Sequence, residues 1–285
     1  MRAWGVTSDR ASAYLATFVM ALALSGCAAL DRVGHADAIA EASGLVRVEI
    51  PAGHFLLTGY ARVTDKRKPV DVYIEGDGLA WLTRTQPSLD PTPVQATGLA
   101  LAAADPAPNV VYLARPCQFT PMEKNPRCEV AYWTGRRFAP EVVDSMDSAL
   151  DWVAAQAPGQ RLNVTGYSGG AAVAVLAAAR RTDVATLRTV AGNLDDEFIN
   201  RIHGVDSMPD SLNPISAARL VAQIPQIHFS SDADEVVPPE VARRFVSATQ
   251  GRCATAIAES GLPHDGDWQN RWLELLAIHP TCVEP

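Results

Sequence analysis

Residues 161–180 read RLNVTGYSGGAAVAVLAAAR, and the rest of the chain is best read outward from them. Arg161–Tyr167 has the alternation of a β-strand, and Gly170–Arg180 is an alanine-rich helical stretch. Between them, Gly166-Tyr167-Ser168-Gly169-Gly170 fits the pattern G-x-S-x-G, and no other serine in the chain does. The glycines answer a crowding problem. A serine held in a strained strand-to-helix turn projects its Oγ above the sheet, and a Cβ two residues away on either side would clash. Gly170 also lets the helix start close to the strand.

On both sides of this turn, short β-type runs alternate with helical ones. Upstream, Leu45–Ile50 and Phe55–Arg62 predict a hairpin around Pro51-Ala52-Gly53. Val70–Ile74 (VDVYI) is a strand ending at Glu75-Gly76-Asp77-Gly78, and Asn109–Ala114 is another, entered from a proline-rich loop. Glu141–Gln156 carries Val142, Val143, Met146, Ala149, Leu150 and Val153 at helical spacing. Downstream, Leu187–Ala191 and Gln226–Ser230 are strands separated by a polar connection. A helix opens at Pro238-Pro239, since proline is tolerated in a first turn, and runs to about Gln250. A last strand, Ala254–Ala258, and a last helix, Asp267–Ile278, follow. Two leading strands and then βα alternation predict one α/β domain over 45–285, a doubly wound, mostly parallel sheet with helices on both faces. Ligands on such sheets bind outside the carboxyl ends of the strands.

A serine nucleophile needs a base, and the base needs an orienting acid. Downstream of Ser168 lie His203, His228, His264 and His279. His228 falls inside a strand, His203 precedes the strand that should carry the acid, and His279 suits a helix C-terminal cap. His264, in GLPHDGDW between the last strand and the last helix, sits where a general base reaches Ser168. Asp232 and Asp234 compete for the acid, with Asp195 and Asp196 as further alternatives. The segment Asp234-Glu235-Val236-Val237-Pro238 resembles the D-x-hydrophobic-V-P stretch around the acid of many α/β-hydrolases, which favours Asp234; Asp232 then forms a turn. The loop Glu75-Gly76-Asp77-Gly78 resembles the H-G-x-x loop of the same proteins, with Glu75 in place of the usual His. With these parts in order across residues 45–280, the chain resembles the α/β-hydrolase superfamily. The resemblance implies acyl transfer by Ser168, His264 and Asp234. It implies an oxyanion hole from the N–H groups of Gly169 and Asp77, and no metal or organic cofactor. Carboxylic ester hydrolysis is the first reading of the substrate. A serine peptidase, amidase or thioesterase is the alternative, and a non-catalytic envelope lipoprotein on the same fold is another. The connection Asn193–Ser216 is too short for a large lid, which predicts an open cleft; Trp81 and Trp133 lie in loops near it, as lining or as packing.

The ends and the composition concern location. Arg2 and Arg10 precede the apolar run Ala11–Leu24, which is shorter than the roughly 20 residues that span a bilayer and suits a signal peptide. The run ends in Leu24-Ser25-Gly26-Cys27, which resembles the lipobox of bacterial lipoproteins. That resemblance implies removal of residues 1–26, lipid on Cys27 and, with Ala28 where an inner-membrane retention Asp would stand, an outer-membrane protein facing the periplasm. Residues 27–44 read as the lipidated N-terminus and a tether or loose helix. Four further cysteines, an even number in an exported chain, suggest disulfides with three possible connectivities. Cys117 and Cys128 bracket one proline-rich loop and are expected to pair, leaving Cys253 on a late strand to hold Cys282 in the tail. No CxxC spacing supports zinc. The net charge of −8, from 24 Lys+Arg against 32 Asp+Glu, argues against nucleic acid as a partner. The 48 % hydrophobic content argues against disorder.

Overall fold

The computed structural model describes residues 31–283. The expected signal peptide and the lipidation site Cys27 lie outside them. Eight strands form one sheet: β1 (Val46–Ala52), β2 (Phe55–Val63), β3 (Val70–Ile74), β4 (Asn109–Leu113), β5 (Leu162–Tyr167), β6 (Val184–Val190), β7 (Gln226–Ser231) and β8 (Ala254–Glu259). Their order is β1-β2-β4-β3-β5-β6-β7-β8. β2 runs antiparallel to both its neighbours, and β4, β3 and β5 to β8 are mutually parallel. The hairpin turn is tighter than expected. Ala52 pairs with Phe55, so the strands run through Pro51 and Ala52, and the turn is Gly53-His54 with Gly53 at φ +62°. Proline is tolerated there because β1 is an edge strand.

Among the described residues, seven helices cover the sheet. On one face lie α3 (Pro140–Gln156), α4 (Gly169–Ala178), α5 (Asp196–His203) and α6 (Pro239–Thr249). The periodic residues of α3, Val142, Val143, Met146, Ala149, Leu150 and Val153, are all buried, and all of α4 is interior. On the other face, α1 (Arg32–Ala42), α2 (Thr97–Ala104) and α7 (Trp268–Leu276) pack through Ala36, Ala40, Leu99, Leu101, Trp268 and Trp272. The segment read as a tether or loose helix is therefore for the most part a helix, and it is docked, its small residues Ala36 and Ala40 buried against this face. Both expected disulfides are present, Cys117–Cys128 in the loop after β4 and Cys253–Cys282 tying the C-terminal tail to the start of β8. Each closes a loop in the unfolded chain, worth typically about 2–4 kcal/mol.

His228 packs, as a strand histidine should. Its ring is fully buried between Thr189 Oγ1 (2.9 Å from Nδ1) and Gln226 Oε1 (3.0 Å from Nε2), and burial pushes its pKa down to about 3. The unfolded chain therefore binds a proton below pH 6.5 that the native chain refuses. Stability from this residue is complete above pH 6.5 and is lost as pH falls towards 3, by up to about 1.4 kcal/mol per pH unit. Denaturant unfolding of wild type and His228→Gln at pH 7, 5.5 and 4.5 should show the wild-type curve falling more steeply with acid. Parallel curves would contradict this account.

Candidate active site

β3 and β5 are neighbours, but the connection after β3 turns back through α2 to β4 on one side, while that after β5 runs on through α4 to β6 on the other, so a crevice opens between their carboxyl ends. The turn after β5 brings Ser168 into that crevice. Ser168 has φ +49° and ψ −120°, a conformation L-residues avoid, and it is held by Ser168 N donating to Val190 O (2.9 Å). The turn leaves no room for a side chain at either flanking glycine. A Cβ on Gly166 would lie 2.4 Å from Gly170 O, and one on Gly170 would lie 2.3 Å from Ile74 O. Both obstacles are backbone and cannot move aside.

His264 stands in the loop between β8 and α7. Its Nε2 is 2.9 Å from Ser168 Oγ, and its Nδ1 is 2.8 Å from Asp234 Oδ2. A carboxylate only accepts, so Nδ1 carries the proton and Nε2 is left to accept from the serine hydroxyl. The loop is fixed from both sides, since His264 O accepts from Tyr167 Oη (3.0 Å) and Trp268 Nε1 (3.1 Å). The Asp234 side chain is fully buried, and its other oxygen accepts from Val236 N (2.9 Å) and Val237 N (2.8 Å). This explains the Asp-x-Val-Val-Pro spacing. The two valine amides aim the carboxylate, and the proline opens α6.

The competing acids lie elsewhere. Asp232 is exposed and accepts from Gly261 N (2.7 Å) and Ser260 Oγ (3.1 Å), which lowers its pKa and braces the loop that carries His264. Asp195 caps α5 through Phe198 N (3.2 Å) and pairs with Arg244; Asp196 pairs with Arg137. His203 Nε2 donates to Val236 O (2.8 Å), and His279 is exposed beyond α7.

The loop after β3 lies against the serine turn, close enough that a Cβ on Gly76 would be 3.2 Å from Ser168 Cβ. Among the described residues, the N–H groups of Asp77 and Gly169 have no hydrogen-bond partner. Glu75, the departure from the usual histidine, is fully interior. Its carboxylate accepts from Gly76 N (2.9 Å), Gly98 N (3.1 Å), Leu99 N (3.4 Å) and Tyr112 Oη (3.0 Å). Burial pushes its pKa up and these donors pull it down, burial prevailing. Glu75 thus caps α2, whose own N-cap Ala96 has no capping side chain, and locks the loop beside Ser168. Two arginines complete the support. Buried Arg115 (Nη1) lies 3.1 Å from Asp77 Oδ1 and donates to Arg137 O, while Arg137 (Nε) lies 3.4 Å from Asp77 Oδ2. Gln118 Nε2 donates to Gly76 O (2.9 Å).

A cleft of about 690 Å³ opens over Ser168 and His264, with Leu79, Trp81, Val94 and Val236 among its walls and Arg137 on one side. Trp81 lines it. Trp133 does not; it is buried and donates from Nε1 to Ser88 O (3.0 Å). No cluster of metal-ligating side chains occurs among the described residues.

No protein-family profile matches the chain, and neither does any curated protein sequence. Solved structures do. Est1E from Butyrivibrio proteoclasticus superposes with a TM-score of 0.56 at 13% identity, over 81% of this chain and 97% of that one. XC6422 from Xanthomonas campestris, an α/β serine hydrolase without lid, gives 0.52 at 16%, over 84% and 97%. An acylaminoacyl peptidase from Pyrococcus horikoshii gives 0.57 at 13%, over 84% of this chain and 42% of that one. The fold is that of the α/β-hydrolases. On this α/β-hydrolase sheet the connection after β6 holds only α5 and a 3₁₀ turn, Pro214–Ala217.

Proposed function

We propose that the protein is a serine hydrolase that cleaves carboxylic esters through an acyl-enzyme. The observation that carries this reading is the unbroken line from Ser168 Oγ through His264 to buried Asp234, at 2.9 and 2.8 Å, on a strained turn at the floor of an open cleft. Ser168 Oγ attacks the ester carbonyl as its proton passes to His264 Nε2, and Asp234 stabilises the imidazolium that forms. The N–H groups of Gly169 and Asp77, unpartnered among the described residues, receive the developing oxyanion. Collapse expels the alcohol, which takes the proton from His264. Water then gives a proton to His264 as it attacks the acyl carbon, and collapse of this second tetrahedral intermediate passes that proton to Ser168 Oγ, releasing the acid and restoring free Ser168. The apolar walls at Leu79, Trp81 and Val94 suit a hydrocarbon acyl or alkoxy group. A panel of p-nitrophenyl esters and aminoacyl p-nitroanilides tests the substrate class. Esters should be turned over and anilides spared; the reverse would make the protein a peptidase.

The export reading is part of the same proposal. Leu24-Ser25-Gly26-Cys27 behind a short apolar run supports lipid attachment at Cys27, and Ala28 supports the outer membrane. Cys27→Ser should leave full-length precursor and no lipidated product in a membrane fraction. Normal cleavage after Gly26 with undiminished membrane binding would refute it.

A further inference from the structure

The loop between β3 and α2 is a rigid strap with an apolar outer surface. Residues 78–95 are cross-braced by Leu79 N to Pro91 O (3.0 Å) and Ser88 N to Ala80 O (3.0 Å). The strap is also held from the body by Trp133 Nε1 on Ser88 O and by Phe119 N on Thr92 Oγ1 (2.9 Å). Side chains on so braced a loop are displayed, not left over. Leu89 is 83% exposed, Val94 57%, Leu82 53% and Trp81 42%, a dense apolar group for a soluble surface. Arg84 donates to His203 O (3.3 Å), joining this surface to exposed Ile202 and Val205 at the end of α5. Val236, also exposed, stands on the cleft side.

The strap's charge is unusual for this chain. The protein carries −8, yet residues 78–95 hold only Arg84 and Asp90, and Asp90 is paired with Arg32 at 2.5 Å. That pair also locates the N-terminus. Arg32 opens α1, and its guanidinium also donates to Asp90 O (3.3 Å) and Thr92 O. The proposed lipid site Cys27 precedes Asp31, the N-cap of α1, by four residues, a span of at most about 14 Å even fully extended. A long tether would leave the domain free to turn in any direction; four residues do not.

We infer that the strap is a membrane-docking surface, and that it presents the mouth of the cleft to the lipid bilayer carrying the Cys27 anchor. The occupant is a lipid surface: the apolar side chains enter its interfacial layer, and no unpaired acid on the strap opposes anionic headgroups. The substrates reached this way are amphiphilic esters lodged in that surface. The inference rests on the lipid-anchor reading, and on the hydrolase reading for the substrate class alone.

The full chain, purified from membranes, is bound to phosphatidylethanolamine–phosphatidylglycerol vesicles after labelling with an environment-sensitive fluorophore at Leu82→Cys or Leu89→Cys. Lys66→Cys serves as control, since exposed Lys66 lies in the loop that enters β3, at the end of the sheet opposite the strap that leaves it. Vesicles should shift the emission at 82 and 89 to the blue and protect both labels from iodide several-fold, while position 66 stays fully quenched. If 82 and 89 are quenched as in solution while the chain is vesicle-bound, the docking surface is wrong and the anchor stands. If the chain carries no lipid and does not bind vesicles, both fail. Labelling of Ser168 by a fluorophosphonate in the same samples reports the hydrolase reading independently of either.

Discussion

Ser168→Ala should lower ester turnover by about 10⁴–10⁶-fold without unfolding the protein, because the turn is shaped by backbone contacts at Gly166 and Gly170 and not by the hydroxyl. His264→Ala should be nearly as severe. A serine hydroxyl is a poor nucleophile at neutral pH, and Nε2, 2.9 Å away, is the group placed to take its proton. The double variant should be about as slow as either single one, since the two residues act as a unit. Steady-state hydrolysis of a p-nitrophenyl ester, with circular dichroism to verify the fold, checks all three. Full activity in Ser168→Ala, or losses that multiply, would remove the proposed mechanism.

The second large effect separates two aspartates two residues apart. Asp234→Asn should depress turnover by about 10⁴-fold, because an amide facing Nδ1 favours the wrong imidazole tautomer. The amides of Val236 and Val237 can still hold the replaced side chain through its carbonyl oxygen, so the fold should survive. Asp232→Asn removes a charge from an exposed turn and weakens hydrogen bonds to Gly261 and Ser260. Both bonds brace the loop from outside and touch neither Ser168 nor the His264 ring, so turnover should fall by no more than about tenfold. Comparing the two variants on one substrate decides the assignment. If Asp232→Asn is the crippling change, the acid is misassigned.

That Ser168, His264 and Asp234 come together was legible in the sequence where local pattern carries the physics. Ser168 was announced by its glycines and by the change from strand to helix around it. Asp234 was marked by a spacing that the structure explains as two valine amides on one carboxylate oxygen. His264 followed from its place between the last strand and the last helix. What was missed depends on contacts distant in sequence. α2 (TGLALAAA) has no apolar period and no capping side chain of its own; Glu75, more than twenty residues earlier at the end of β3, caps it instead. α5 lies inside the connection read as polar; it did carry a local signal, Asp195 as N-cap and Gly204 in the left-handed conformation behind its last turn. The pairing of Arg115 and Arg137 with Asp77 joins three segments that no short pattern links. The docking of α1 rests on Ala36 and Ala40, small residues that look like a tether until the opposing surface is known.

The most direct test of the central claim is chemical. The full chain is treated with a fluorophosphonate, and the adduct is mapped by tandem mass spectrometry. The account predicts one stoichiometric adduct, on Ser168, formed slowly or not at all in His264→Ala and absent in Ser168→Ala. An adduct on another serine, or an unlabelled protein that still hydrolyses esters, would contradict it.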